Sequence, residues 1–191
     1  MLCSFIKCSF TFIFLLWSFF ACAKSTMLCE ISSIDNRKLS VDETKYDNDI
    51  KYNFQIVDDE NIITITIGVI RLEHNSVLFQ TSSEIISKKE VVESSHKEYE
   101  RIRVEELFNT VSLLHTENKI LEGMPSKISL WRSVFQENYG LTGFWSAASD
   151  EELFVIMLYG VNISNEKDLV SKDLIIAIVD EILSKCKVVS I

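Results

Sequence analysis

Hydrophobic and polar positions change their period several times along the chain, and each change predicts an element. The run Glu152–Val161 is apolar almost without interruption, bounded by Ser149-Asp150 before it and by Gly160 and Asn162 at its end. Its length and β-branched residues predict a strand covered on both faces, around which the rest should pack. Tyr52, Phe54 and Ile56 alternate with Lys51, Asn53 and Gln55, and Asp58–Asn61 supplies a turn. Ile63, Ile65, Ile67 and Val69 then alternate with Thr64, Thr66 and Gly68, and after a second turn at Glu73–Ser76 the segment Val77–Gln80 reads as a third strand. Period two of this kind predicts an antiparallel meander.

Elsewhere the period is helical. Val104, Leu107, Phe108, Val111 and Leu114 recur at spacings of three and four, with Glu105 and Glu106 placed to suit a first turn. This predicts an amphipathic helix over 104–116. The preceding stretch Ser83–Arg103 is charged and sparsely apolar, so a solvated helix or a mobile excursion is expected there. Residues 120–146 fit a helix through Ile128, Trp131 and Phe135, but aromatic and β-branched enrichment favours strands. In that reading Gly123-Met124-Pro125 starts one strand, Glu137–Gly140 turns, and Leu141–Ala147 pairs with the central strand. Asp168–Lys187 carries Leu174, Ile175, Ile178, Val179, Ile182, Leu183 and Cys186 on one stripe, with Ser171 placed to cap the start and Lys185 and Lys187 at the end. The expected class is α+β: an antiparallel β-sheet packed by an amphipathic C-terminal helix and a mid-chain helix.

Composition adds a compartment to this picture. At 191 residues and 47% hydrophobic, with one Pro and five Gly, the chain has the size of one domain and no linker-like or low-complexity tract. Lys7 precedes an uncharged, Phe-rich stretch from Cys8 to Ala23 that ends Ala21-Cys22-Ala23. That is the layout of a secretory signal peptide cleaved after Ala23, and the stretch is shorter than the roughly 20 residues a membrane-spanning helix needs. The expected organisation is a signal peptide over 1–23, an irregular N-terminal segment over 24–49 and a single α+β domain over 50–191, exported to a periplasm or secreted. Three alternatives stay open: lipidation at Cys22, against which Phe20 and Phe19 stand where a small residue and Leu, respectively, are preferred; an uncleaved membrane anchor; and initiation at Met27.

Cleavage would leave Cys29 and Cys186 as the only cysteines. In an oxidising compartment they are a candidate disulfide; two unrelated thiols are the alternative. It would also leave 18 basic against 28 acidic residues, a formal charge of −10. Acidity argues against non-specific nucleic-acid binding and against adhesion to anionic lipid, and is compatible with a basic protein partner. Membrane association is expected only through an uncleaved signal or a lipid anchor.

Chemistry-bearing motifs are sparse. His74 reads as a surface turn residue, His96 as solvated and His115 as capping the end of the 104–116 helix. None stands in a metal-ligand spacing, and no phosphate loop, dinucleotide fingerprint or nucleophile elbow occurs, so no catalytic, metal or cofactor residue is assigned and no cofactor is expected. Asn162-Ile163-Ser164 matches a glycosylation sequon, a short match that arises readily by chance. The remaining candidate is the aromatic cluster around Gly140–Gly143, from which Trp131, Tyr139, Leu141 and Trp145 are drawn as an interface; core packing is the competing reading.

From Gly123 onward, the succession Gly-Met-Pro, strand, Tyr139-Gly140 turn, strand, the strand Leu153–Tyr159 and a C-terminal helix ending Ile182-Leu183-Ser184 resembles the second half of PsbP-like proteins, an architecture shared by periplasmic DcrB-type lipoproteins. The resemblance implies an antiparallel sheet between helices and a non-enzymatic accessory role. Composition and resemblance together favour an exported protein acting by protein–protein binding, as an envelope accessory factor or an immunity-type inhibitor of a secreted toxin. An exported hydrolase with dispersed active-site residues is the alternative.

Overall fold

The structure is a computed structural model that describes residues 25–31, 33–34, 37–38, 42–46, 49–72, 87–103, 110–135, 138–165 and 168–190. Its centre is the predicted strand. Here β10 (Glu152–Asn162) lies between β6 (Asn61–Arg71) and β9 (Asn138–Ala148), in register Ile156↔Ile67 and Ile156↔Trp145. Phe154, Ile156 and Leu158 enter one core while Leu153 and Val155 enter the other, which is why the run reads as unbroken rather than alternating.

Seven antiparallel strands follow the order β4-β5-β6-β10-β9-β8-β7, adding β4 (Asp42–Tyr46), β5 (Asp49–Val57), β8 (Met124–Phe135) and β7 (Thr110–Leu121) to the three above. The turn between β5 and β6 forms where Asp58–Asn61 predicts it: Asp58 Oδ1 accepts from the backbone N–H of Glu60 and Asn61 at 2.8 and 2.6 Å. Ser149 closes the β9–β10 turn, accepting from Glu152 N at 3.0 Å. Glu122 and Gly123, at φ 48° and 85°, form the two-residue hairpin loop between β7 and β8. Both φ values are positive, as a primed hairpin turn requires.

One face of this sheet carries the C-terminal helix α2 (Lys172–Ser184), which buries Ile175, Ile178, Val179 and Ile182 against β6, β8, β9 and β10. Gly143 permits the close approach. A Cβ there would lie 3.1 Å from Leu130 Cδ2 and 3.2 Å from Leu158 Cδ1. Ser171 occupies the N-cap position without a side-chain bond; its carbonyl accepts from Ile175 N instead. Lys185 bonds Glu181 at 2.7 Å and the Ser33 carbonyl, tying the helix end to the N-terminal part of the chain.

The opposite face carries α1 (Lys88–Ile102), started by a capping box in which Ser87 accepts from Glu90 N and the Glu90 carboxylate accepts from Ser87 N. The mid-chain helix therefore lies over 88–102, and the helix expected over 104–116 is corrected: from Thr110 onward the chain is strand β7, paired with β8 along its length. Apolar spacing there fits a helical template locally, but pairing with the strand that follows it through a two-residue hairpin outweighs so weak a propensity. The stretch 83–103 is likewise no mobile excursion where it is described, since Val91, Val92, Ser95, His96 and Tyr99 of α1 are buried.

Three further differences concern the ends of the domain. Residues 24–49, expected to be irregular, hold β1 (Ser25–Cys29), β2 (Ser33–Ile34), β3 (Arg37–Lys38) and β4, and Ile34 is fully buried. Helix α2 ends at Ser184, so Cys186 begins β11 (Cys186–Ser190) instead of continuing the helical stripe. The expected third strand Val77–Gln80 and His74 lie outside the described residues; β6 pairs with β10 on the side where that strand was expected.

Candidate functional site

Three places could carry chemistry or contacts: the layer beneath α1, the gap beneath the β1–β11 ribbon, and the sheet edge formed by β7. Beneath α1 the contact is unusually polar. Ser95 Oγ lies 3.1 Å from Ser146 Oγ, His96 Nδ1 2.8 Å from Ser129 Oγ, and Ser129 Oγ 3.2 Å from Thr116 Oγ1, while Ser133 and Thr142 share a hydroxyl–hydroxyl bond. Aromatic rings fill the space between: Tyr99 stacks on Phe144 at 4.5 Å, His96 meets Phe144 edge-on at 4.7 Å, and the Arg103 guanidinium sits 4.7 Å above the Tyr99 ring. Burial raises the Tyr99 phenol above its ordinary value, with the Arg103 charge and hydrogen bond acting the other way.

A serine hydroxyl 2.8 Å from a histidine nitrogen has the spacing of a nucleophile and its base. Two facts remove that role. Ser129 and His96 are 2% and 3% exposed, so a substrate has no approach, and the imidazole is pushed down to about 3, first by burial and then by the neighbouring Lys127 charge, with a backbone hydrogen bond at Lys127 opposing. A base that weak does not activate a hydroxyl near neutral pH. His96 is thus a neutral packing group, and its reading as a solvated residue is corrected. His115, expected at a helix end, is in β7 with Nε2 3.9 Å from the Glu117 carboxylate.

A neutral buried imidazole makes stability depend on pH. The unfolded chain binds a proton near pH 6.5 and the folded one only near 3, so between those values the unfolded state holds more protons and acid favours it. Stability contributed by this residue is fully present above pH 6.5 and falls as pH drops toward 3. By pH 5 the loss is about 2 kcal/mol. Urea melts at pH 7 and pH 5 should show it, and His96→Gln, which cannot titrate, should flatten that difference.

On the other face, β1 and β11 form a two-stranded antiparallel ribbon whose register sets Cys29 opposite Cys186, and the two sulfurs are joined. Between ribbon and sheet lies a cleft of about 220 Å³ walled by Met27, Trp145, Phe154, Ile156 and the bridge, with exposed Glu30 among the lining residues. This wall offers dispersion contacts and no converging set of donors for a polar substrate. Among the described residues no three His, Cys, Asp or Glu side chains gather into a metal site, and no helix is long and apolar enough to cross a membrane.

The third place is β7. Among the described residues it is a terminal strand of the seven-stranded sheet and pairs with β8 alone. Leu113, Leu114 and Ile120 on it are 54%, 45% and 79% exposed. The interface drawn from sequence falls elsewhere: Trp131, Leu141 and Trp145 are buried in the two cores, and Tyr139 is half-buried beneath the Arg132 guanidinium at 4.1 Å. Core packing accounts for those aromatic residues. The exposed leucines of β7 leave no separate mark in the sequence, where Leu114 fits the inward face of a helix that does not form.

No protein family and no curated protein matches the chain. Among solved structures, a protein of unknown function from Pseudomonas aeruginosa is similar at 6% identity and a TM-score of 0.39, over 71% of this chain and 81% of its own. LpqN, involved in cell envelope biogenesis of Mycobacterium tuberculosis, is similar at 8% identity and a TM-score of 0.42, over 86% of this chain and 90% of its own. Both scores fall below 0.5, and nothing about this chain is drawn from either.

Proposed function

We propose that this chain is an exported, non-catalytic protein that acts by protein–protein binding, with β7 as its contact surface. The observation that carries the reading is an edge of twelve residues on which Leu113, Leu114 and Ile120 remain open to solvent. An edge strand presents unpaired backbone N–H and C=O groups to which another chain can add a strand, and apolar side chains beside that row supply the contact area. The signal-like N-terminus and the Cys29–Cys186 bridge support export, and the accessory role implied by the PsbP-like resemblance agrees with a binding activity.

Of the two roles, an immunity-type inhibitor calls for one stoichiometric basic partner, whereas an envelope accessory factor calls for a partner set without that charge bias. Affinity purification from the native envelope separates them, and an Ile120→Lys variant locates the contact. Ile120 is too exposed for its replacement to disturb the fold, so the variant should melt like the wild type and retain at least about tenfold less partner. Equal recovery by both proteins sinks the assignment to β7, and substrate turnover by the isolated chain sinks the non-catalytic reading.

A further inference from the structure

We infer that the partner at β7 is a second copy of this chain, paired antiparallel through His115–Leu121 about a two-fold axis at Asn118. This rests on the reading of β7 as a binding edge and adds the occupant and the register. Two independent observations select the same centre. The first is geometric: β7 has a register shift between Leu113 and His115, and its hairpin loop begins after Leu121. A bulge bends a strand and disrupts its ladder, so the regular stretch available for pairing is His115–Leu121, whose midpoint is Asn118.

The second is charge. Glu117 and Lys119 lie on one face of the strand, 3.3 Å apart, both with side chains close to half exposed. In an antiparallel pair about Asn118, each Glu117 stands opposite the Lys119 of the other copy, so two opposite-charge pairs form across the seam. Shifting the centre to Glu117 or Lys119 sets like charges face to face, and a half-residue centre would set side chains on opposite faces of the sheet, which the pleat forbids. At the Asn118 centre Ile120 faces Thr116 of the other copy and Leu121 faces His115, placing the most exposed apolar side chain of the strand against a β-branched neighbour. The result is one continuous sheet of two copies, with both α1 helices on the same side.

Sedimentation of the full-length chain, purified from an exporting host, over about 1 to 200 µM tests the pairing. Wild type should pass from monomer to dimer within that range at low salt. Lys119→Glu places two carboxylates opposite one another at both positions and should weaken the dimer by about tenfold or more. The double variant Glu117→Lys/Lys119→Glu restores opposite charges and should recover it to within about threefold, with all three proteins melting alike at a concentration where each is monomeric, because both positions are exposed. Asn118→Cys should give a disulfide-linked dimer on oxidation, since each Asn118 faces its own copy. A wild type that stays monomeric, a dimer indifferent to Lys119→Glu, or an Asn118→Cys chain that does not cross-link overturns the inference. If such a monomer still captures another protein through Ile120, only the second copy is refuted; if it captures nothing, the reading of β7 falls with it.

Discussion

Leu158→Asp should abolish cooperative folding. Leu158 is 1% exposed near the middle of β10, opposite Ile65 on one neighbouring strand and Gly143 on the other, with its Cδ1 3.2 Å from where a Gly143 Cβ would stand. A carboxylate there would sit inside the apolar core, shut off from bulk solvent. It must stay charged and unsolvated or take up a proton at a cost, and either loses several kcal/mol beyond the roughly 2–5 kcal/mol of the deleted leucine packing. Against a total stability of about 5–15 kcal/mol, that is enough to unfold the domain. Ile156, two residues earlier and as near the strand's middle, is the weaker choice because it borders the cleft beneath the ribbon, where a carboxylate can draw in water. The expected ranking is therefore Leu158→Asp insoluble or without a melting transition, Ile156→Asp destabilised but with some folded protein. A soluble Leu158→Asp chain with a sharp thermal transition by circular dichroism would show that β10 is not the centre of the core.

That centre was legible because burial on both faces leaves a mark in composition alone. The same holds for β5 and β6, where Ile63, Ile65 and Ile67 face α2 and Thr64 and Thr66 face away, so alternation survives to the sequence. The order β8, β9, β10 was legible for a different reason: each strand follows the last through a short turn, and the turn residues are visible locally. What escaped has two causes: β1 pairs with β11 across nearly the whole chain, and the apolar spacing of β7 fits a helical template even though its partner β8 is the next strand. A helix over α1 is one of the two readings its sequence allows, but its burial is hidden for a separate reason. Its inward residues Val91, Val92, Ser95, His96 and Tyr99 include three that hydropathy counts as polar, and the sheet answers them with Ser129, Ser133, Thr142 and Ser146. When both sides of a contact are hydroxyl-rich, the bonds that justify their burial exist only in three dimensions.

Candidate contact residues were misplaced by the same logic. Aromatic density around Gly140 marks a core because the sheet folds Trp131 under α1 and Trp145 under α2, on opposite faces of adjacent strands. Exposed leucines on β7 carry no periodic signal that separates them from buried ones. Only the edge position reveals them, and edge position is a property of strand order, which no window of sequence contains.

Loss of the Cys29–Cys186 bridge should be the second large effect. The cysteines are 157 residues apart, so the bond closes most of the chain into one loop. On the chain-entropy account, opening a loop of that size frees the unfolded state by about 5 kcal/mol, near the upper end for a single bridge. The folded side loses less, because five residue pairs still hold β1 to β11 and Glu30 N still donates to the Lys185 carbonyl at 3.1 Å. Most of the destabilisation should therefore come from the unfolded ensemble, with the sheet and both helices unchanged in the Cys186→Ser structure. For a chain of this length that corresponds to a fall in Tm of about 10–20 °C. Wild type heated with reductant should melt with Cys186→Ser, and wild type without it well above both. The ribbon supplies Met27 and the bridge to the cleft wall, so the variant should also exchange the β1 and β11 amide protons faster than those of β10, whose ladder it leaves intact. Equal melting of oxidised wild type and Cys186→Ser, or two free thiols in protein recovered from the exporting host, would show that the bridge does not hold these strands.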